Sequence, residues 1–166
     1  MIYLDLDGVF ADFNKKAIEL IGPDYKEIKA NELWKELGKE KHLFLNLDEI
    51  PDAQSLFRSI MIIAKEYNQE VAFLTAIPYS TGNLSTSKQD KIDWVRKHLS
   101  KDIFVHTIIG GINKAKFAKP KDILIDDTER NLMAWQSVGG HPILHQTNHS
   151  EPTILRLREV LEGRSL

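Results

Sequence analysis

The chain contains no cysteine among its 166 residues. Disulfide bonds, thiolate metal sites and a cysteine nucleophile are therefore excluded, and a reducing, cytoplasmic location is expected. No apolar run approaches the ~20 residues that a membrane helix needs, so no membrane span is expected. A strong excess of either charge is also lacking, since 22 Lys and Arg against 24 Asp and Glu give a formal net charge of −2. Duplex nucleic acid and acidic membranes, which attract basic surfaces, are not expected partners.

The remaining composition is that of an ordinary globular domain. Hydrophobic residues make up 42% of the chain and charged residues 28%, which suffices for a sizeable core. We expect one domain over residues 1–166. Short apolar runs alternate with helical patterns, which predicts an α/β fold with a parallel sheet of about five strands and helices on both faces.

A long stretch separates the first apolar run from the second. Helical patterns over 11–20 and 30–37 and an apolar stretch at 42–47 precede a longer helical pattern over 52–67. A connection of this length is unusual between neighbouring strands. We interpret roughly residues 14–50 as a small helical cap inserted over one edge of the sheet.

The first ten residues join a strand pattern to two acids. Apolar residues at positions 2, 4 and 6 alternate with Tyr3, Asp5 and Asp7, and Gly8 permits a turn afterwards. Asp5 and Asp7 then lie on the same side at the carboxyl end of a strand, where open α/β sheets bind ligands. A hard divalent cation such as Mg²⁺ would offset the repulsion between them through oxygen ligands. The alternative is a pair of solvated acids in a surface turn.

Further polar residues follow the other apolar runs. Thr75 ends the second run, Asp126 and Asp127 end the fourth, and Lys91 stands near the start of a helix. Because parallel strands end at one edge, these side chains are expected to converge. Each has a plain alternative: a structural hydroxyl, a capped turn, or a solvated helix lysine. Lys88 is a nearby rival for Lys91.

Taken in order, these residues resemble the motifs of the haloacid dehalogenase superfamily of aspartyl-phosphate phosphatases. Asp5-Leu6-Asp7-Gly8-Val9 is similar to its first motif, Phe73-Leu74-Thr75 to its second, Lys91 to its third, and Leu124-Ile125-Asp126-Asp127 to its fourth. The resemblance covers essentially the whole chain. It implies a three-layer Rossmann-like sandwich with a small helical cap.

A closer resemblance is to the 5′(3′)-deoxyribonucleotidases of that superfamily. The similar segments are residues 5–13, 43–53, 90–95 and 124–127. Two departures stand out. The stretch 75–78 lacks the serine of the usual Thr-Ser-Pro, and Lys114 and Lys116 occupy the place of an Arg-x-Lys pair. These departures bear on the substrate more than on the phosphatase chemistry.

The resemblance implies a Mg²⁺-dependent phosphomonoesterase acting on nucleoside monophosphates. Asp5 would be the nucleophile and Asp7 the general acid and base. Mg²⁺ would be held by the Asp5 and Asp126 carboxylates and the Asp7 backbone carbonyl, with Asp127 as a water-mediated or orienting ligand. Thr75 would bind the phosphoryl group, and Lys91 would balance its charge and that of Asp5. A homodimer is left open.

Several side chains are candidates for substrate binding. The aromatic residues could receive a nucleobase, although aromatics at helical spacing are commonly core residues, and the lysines could be ordinary surface charge. The candidates are Phe10, Phe13, Trp34, Phe44, Thr75, Ala76, Lys91, Lys114 and Lys116. Two alternative functions are kept: a phosphatase for another small phosphate or a nucleic-acid phosphate end, and a non-catalytic binding domain with the same fold.

Overall fold

A computed structural model describes residues 1–163 of the chain. Five strands form one parallel sheet within this range. They are β1 (Ile2–Leu4), β2 (Val71–Ile77), β3 (Val105–Ile109), β4 (Ile123–Asp126) and β5 (His141–Leu144). Their order across the sheet is β3-β2-β1-β4-β5, so the short first strand lies at its centre.

Six α-helices surround this sheet within the described residues. They are α1 (Phe13–Leu20), α2 (Ala30–Leu37), α3 (Ala53–Glu66), α4 (Ser87–His98), α5 (Glu129–Ser137) and α6 (Ser150–Glu162). No helix in this part of the chain has the length and apolar character needed to cross a membrane.

The two faces of the sheet have separate apolar cores. Successive residues of a strand point to opposite faces, so Ile2 and Leu4 join one core and Tyr3 joins the other. The first core contains the apolar sides of α3, α4 and α6, and the second contains α5, whose Trp135 ring lies 5.4 Å from that of Tyr3. Burial of both faces explains why the strands are nearly continuous apolar runs. The expected α/β fold with helices on both faces is confirmed.

The connection between β1 and β2 differs in detail from the sequence pattern. The first helix begins at Phe13 and not at Ala11, because the Asp12 side chain accepts a hydrogen bond from the Lys15 N–H and caps it. The apolar stretch after α2 forms consecutive turns over residues 41–46, here called the 41–46 turn. Its role as part of a cap spanning residues 14–50 stays a prediction.

The position of β1 determines where polar side chains meet. β1 pairs in parallel with β2 on one side and with β4 on the other. The carboxyl ends of all three strands therefore open at one edge, at the point where the chain order across the sheet changes direction. Ligand sites of open α/β sheets lie at this point.

Candidate active site

Three carboxylates meet at the carboxyl edge of the sheet. Asp5 directly follows β1, Asp126 is the last residue of β4, and Asp127 follows it. One carboxylate oxygen of each lies within 4.8 Å of those of the other two. Asp5 and Asp126 are buried, and Asp127 is exposed at the cleft. Three convergent carboxylates are a donor set that fits a hard divalent cation.

A buried lysine lies between two of these acids. The Lys114 Nζ atom is 2.8 Å from Asp5 Oδ1 and 2.6 Å from Asp126 Oδ2. Lys114 belongs to a short 3₁₀ helix, Gly111–Phe117, which packs against α5. Burial alone would lower the pKa of Lys114, but the two carboxylates outweigh it and raise that pKa above its usual value. Lys114 is therefore a fixed positive charge in the centre of the acidic cluster.

The second buried lysine, Lys91, lies on α4 and contacts a different acid. Its Nζ atom is 2.5 Å from Asp7 Oδ2, 2.9 Å from Thr75 Oγ1 and 2.7 Å from the Ala76 carbonyl oxygen. It also lies 4.4 Å from the centre of the Phe44 ring, within the range of a cation–π contact. The structure thus places Lys91 at the predicted site, but beside Asp7, whereas Lys114 is the lysine that contacts Asp5.

Asp7 lies beside the acidic cluster with only one of its carboxylate oxygens bonded. Oδ2 accepts the bond from Lys91, whereas Oδ1 is buried and has no hydrogen-bond partner within residues 1–163. Burial raises the pKa of Asp7 above its usual value, Lys91 opposes this effect, and the charge of Asp5 adds to it. A carboxyl group that holds its proton more tightly than usual is suited to donating that proton to a leaving group.

The carboxylates of the cluster also raise each other's pKa. Burial, and then the negative charge of Asp5, raise the pKa of Asp126 to about 6, although Lys114 lowers it. Although Asp127 is exposed at the cleft, the protein that surrounds it partly displaces water, and this effect, followed by the charges of Asp5 and Asp126, raises the pKa of Asp127 to about 7. Without a cation, the cluster therefore resists full ionisation near neutral pH.

Asp126 is oriented by two groups that the sequence pattern did not indicate. Its Oδ1 accepts the Thr128 backbone N–H at 2.8 Å, and the amide of Asn131 donates at 3.2 Å to both carboxylate oxygens. Asn131 is buried on the first turn of α5. An Asn five residues after Asp126 was the available signal, since the first turn of α5 brings it back beside that acid.

The Gly8 turn closes one side of the cluster. Gly8 has a φ of +78°, and a Cβ atom there would lie 2.0 Å from Asp127 Oδ2. Only glycine combines this conformation with such a close approach of the carboxylate. From the far end of the chain, the Thr147 hydroxyl donates a 2.7 Å hydrogen bond to the Gly8 carbonyl oxygen. Nothing in the local sequence around Thr147 indicated this contact.

The cleft beside the acids has two lobes, and Asp7 lines both of them. The apolar lobe, about 790 Å³, reaches from Asp7 and Ala76 to Phe13, Trp34 and Phe44, and its outer rim carries Ile77, Pro78, Tyr79, Ile109 and Ile112. The polar lobe, about 670 Å³, is lined by Asp5, Asp7, Asp12, Asn14, Tyr25, Lys26, Lys114, Asp127 and Thr147. The predicted substrate-binding residues Phe13, Trp34, Phe44 and Ala76 all border the apolar lobe.

The aromatic wall of the apolar lobe is a packed cluster. The rings of Phe13 and Phe44 are stacked with centres 6.1 Å apart, and Trp34 lies 6.0 Å from Phe13 and 6.5 Å from Phe44. Phe13 and Trp34 remain partly exposed to the cleft. A planar ring in this lobe would therefore meet an aromatic edge and face that are already fixed in place.

Four predicted binding residues line neither lobe of the cleft. Two of them, Thr75 and Lys91, are fully buried, and Lys91 donates a hydrogen bond to the Thr75 hydroxyl oxygen.

The other two lie in the core and on the outer surface. Phe10 is fully buried and packs edge-on against Phe57 and Phe73, because the tight turn after Leu6 points its ring into the core. Lys116 is exposed and lies outside both lobes. Phe10 is thus a core residue, and of the two lysines only Lys114 reaches the acids.

Comparison with known proteins identifies the family. Residues 1–158 match the family model described as 5′ nucleotidase, deoxy (Pyrimidine), cytosolic type C protein. The chain belongs to this family. Membership in this deoxynucleotidase family, together with the fold, makes the protein a phosphoric monoester hydrolase of the haloacid dehalogenase type.

Solved structures similar to this member of the family support the fold. A hydrolase from Streptococcus pneumoniae TIGR4 is 10% identical with a TM-score of 0.52, and the match covers 97% of each chain. An L-2-haloacid dehalogenase is 13% identical with a TM-score of 0.51, covering 90% of this chain and 85% of the other. A search of curated proteins finds no match.

Proposed function

We propose that the protein is a Mg²⁺-dependent phosphatase that hydrolyses nucleoside monophosphates through an aspartyl-phosphate on Asp5. The observation that carries this proposal is the position of Asp5, which contacts Lys114 and the acid pair in the polar lobe, next to the apolar, aromatic-walled lobe that shares Asp7 with it. The lobe suits a nucleobase, and the acids and lysines suit a phosphate. The family description, which names a deoxynucleotidase, supports the same substrate class.

The residues that would hold Mg²⁺ are the carboxylates of Asp5, Asp126 and Asp127 and the backbone carbonyl of Asp7. A bound Mg²⁺ would neutralise these acids and polarise the phosphoryl oxygens of the substrate. The raised pKa values of Asp126 and Asp127 fit this assignment, because burial and then the charges of the neighbouring carboxylates disfavour ionisation of the cluster, which a bound cation would favour.

Asp5 is oriented for nucleophilic attack by bonds to one of its oxygens. Oδ1 accepts the Leu6 N–H at 2.8 Å and the Lys114 ammonium at 2.8 Å. Oδ2 is left to attack phosphorus, forming the Asp5–phosphate bond as the bond from phosphorus to the nucleoside oxygen breaks. Splitting the displacement into two steps in this way is the usual benefit of a covalent intermediate.

Asp7 would handle the proton in both steps. Its protonated carboxyl donates to the departing nucleoside oxygen, and the resulting carboxylate then takes a proton from the water that attacks phosphorus. That second attack breaks the phosphate bond to Asp5 and restores the free carboxylate. Lys91 fixes the orientation of Asp7 through Oδ2, which leaves Oδ1 for the proton.

Thr75 would bind a phosphoryl oxygen. Because its Oγ1 atom already accepts a hydrogen bond from Lys91, its own hydroxyl hydrogen is available for donation. Lys91 and Lys114 together provide two buried positive charges, the first paired with Asp7 and the second with Asp5. Positioning and charge balance of this kind supply most of the rate enhancement in phosphoryl transfer.

The nucleobase would occupy the apolar lobe against the aromatic wall. In this arrangement residues 14–50 act as a cap, because they supply Trp34 and Phe44 to the side of the lobe that faces the sheet edge. Stacking on such rings is worth about 1–3 kcal/mol per base and tolerates different bases. The lobe therefore accounts for recognition of a nucleotide without specifying one base.

The test is phosphate release from 5′- and 3′-nucleoside monophosphates, ribo and deoxy, with sugar phosphates as controls. Asp5→Asn should abolish turnover, whereas the matched Asp93→Asn, at a partly exposed acid on α4, should not. Mass spectrometry after acid quench should find the phosphoenzyme on Asp5. Full activity of Asp5→Asn, or undiminished activity in chelator, would refute the mechanism, and equal rates on unrelated phosphates would refute the substrate class.

A further inference from the structure

The 41–46 turn contacts α4 at two successive residues of that helix. His42 Nδ1 lies 2.9 Å from Asp90 Oδ1, and the ring of Phe44, two residues later, receives the Lys91 ammonium at 4.4 Å. The 41–46 turn thus contacts both Lys91, which reaches the acidic site, and Asp90, which directly precedes it. Because Phe44 belongs to the aromatic wall of the apolar lobe, a movement of this turn would change both that wall and the position of Lys91.

Asp90 is a buried acid with no place in the mechanism described above. It is 3% exposed, and its second oxygen accepts a 2.8 Å hydrogen bond from the Thr86 hydroxyl. Within residues 1–163, His42 is the only basic side chain in ion-pair contact with it. Burying a carboxylate is costly unless it is bonded on both oxygens, as Asp90 is. Its bonds connect the start of α4 to the 41–46 turn.

His42 has a backbone conformation that non-glycine residues seldom adopt. Its φ is +52°, in the left-handed region, while its ring remains largely exposed. Strained residues of this kind persist where the surroundings hold them, often beside functional sites. At His42 the ring contacts Asp90, and the backbone carbonyl oxygen accepts a 3.1 Å hydrogen bond from the Asn46 N–H.

We propose that His42 and Asp90 are a positioning pair for Lys91. Their hydrogen bond fixes the start of α4 against the 41–46 turn, so that the Lys91 ammonium reaches Asp7 and Thr75 while Phe44 covers it. The catalytic part of this inference rests on the proposed function. The structural part, protection and placement of Lys91, does not.

The first test compares variants that keep or remove the bond. His42→Asn tolerates the left-handed backbone and can place an N–H near the position of Nδ1, whereas His42→Gly tolerates the backbone and has no side chain. His42→Gly and Asp90→Ala should lower kcat about 10- to 100-fold with a smaller change in KM, because a displacement near 1 Å costs that much. His42→Asn, Asp90→Asn and the control Asp93→Ala should stay close to wild type.

A double-mutant cycle separates positioning from general destabilisation. Lys91→Met should itself lower kcat, and adding His42→Gly should cause little further loss if the pair acts through Lys91. Losses that multiply, or a His42→Gly enzyme within about twofold of wild type, would overturn the proposal. Since His42 is largely exposed, this arm remains informative even if Asp90→Ala fails to fold.

Lysine acetylation followed by mass spectrometry gives a readout that needs no activity. Lys91 and Lys114 are both fully buried, so both should be protected in the wild-type protein. His42→Gly should expose Lys91 to the reagent and leave Lys114 protected. Equal labelling of both would indicate global loosening, and unchanged protection of Lys91 would overturn the positioning role. A wild-type protein inactive on every phosphate would instead refute the proposed function and leave this readout valid.

Discussion

Replacing Lys114 by Met should destabilise the metal-free protein strongly. The Lys114 ammonium is fully buried, 2.8 Å from one carboxylate oxygen of Asp5 and 2.6 Å from one of Asp126. Unit charges 2.8 Å apart attract by about 6 kcal/mol at an effective dielectric constant of about 20. Loss of hydration of the three groups offsets much of this attraction. Removing one member of a buried charge cluster nevertheless costs about 3–5 kcal/mol, because the remaining charges stay buried and uncompensated.

The assay is thermal unfolding in the presence of a chelator. For a chain of this size, about 3–5 kcal/mol corresponds to a fall in Tm of about 6–20 °C. Lys116→Met is the matched control, since Lys116 is exposed two residues away, and it should change the free energy of unfolding by at most about 0.5 kcal/mol. Mg²⁺ should raise the Tm of Lys114→Met more than that of wild type, because the cation would supply the charge that the lysine supplied.

The reasoning fails if Lys114→Met melts within about 2 °C of wild type in chelator. That result would mean that Asp5 and Asp126 are not both ionised in the metal-free protein, or that water replaces the ammonium at little cost. A loss of Tm equal to that of Lys116→Met would carry the same meaning. Lys114 would then be a phosphate ligand with no role in holding the acids together.

Two further predictions concern the acidic cluster. The pKa values of about 6 for Asp126 and about 7 for Asp127 lie above the ordinary value, so the folded protein holds protons that the unfolded chain releases. The metal-free protein should therefore become less stable as the pH rises from about 4 to about 7. The rise in Tm caused by Mg²⁺ should grow over the same pH range, and a rise in Tm that does not depend on pH would contradict this. Gly8→Ala should abolish both the stabilisation by Mg²⁺ and the activity, because the alanine Cβ would lie 2.0 Å from Asp127 Oδ2 and displace that carboxylate. Calorimetry that shows normal Mg²⁺ binding by this variant would contradict the prediction.

The sheet and its acids could be predicted because both depend on local pattern. Alternation in the first run, and acids at the ends of the first and fourth runs, sufficed to bring Asp5, Asp7 and Asp126 to one edge, since parallel strands leave little choice. Lys91 could also be placed near this edge, because it stands near the start of α4, the helix that follows β2. Each of these residues lies at the end of a strand or near the start of a helix, and such boundaries can be recognised in the sequence pattern.

The remaining parts of the site depend on packing between distant segments. Two lysines separated by one residue, as at Lys114 and Lys116, are typical of a protein surface. No sequence pattern predicted the 3₁₀ helix that buries Lys114. Phe10 follows the nucleophile, but a tight turn directs its ring into the core. Thr147 reaches Gly8 from 139 positions away. Such contacts follow from the closed fold and not from spacing.

The central place of β1 also has a consequence for how the chain folds. Residues 2–4 pair with residues 71–73 on one side and with residues 123–125 on the other. During synthesis, β1 must wait until β4 has left the ribosome before both of its edges are covered. Folding is then governed by contacts between distant parts of the chain, which makes it slower than for a helical protein of equal size. Until β4 arrives, the nascent chain exposes an apolar strand edge of the kind that chaperones bind.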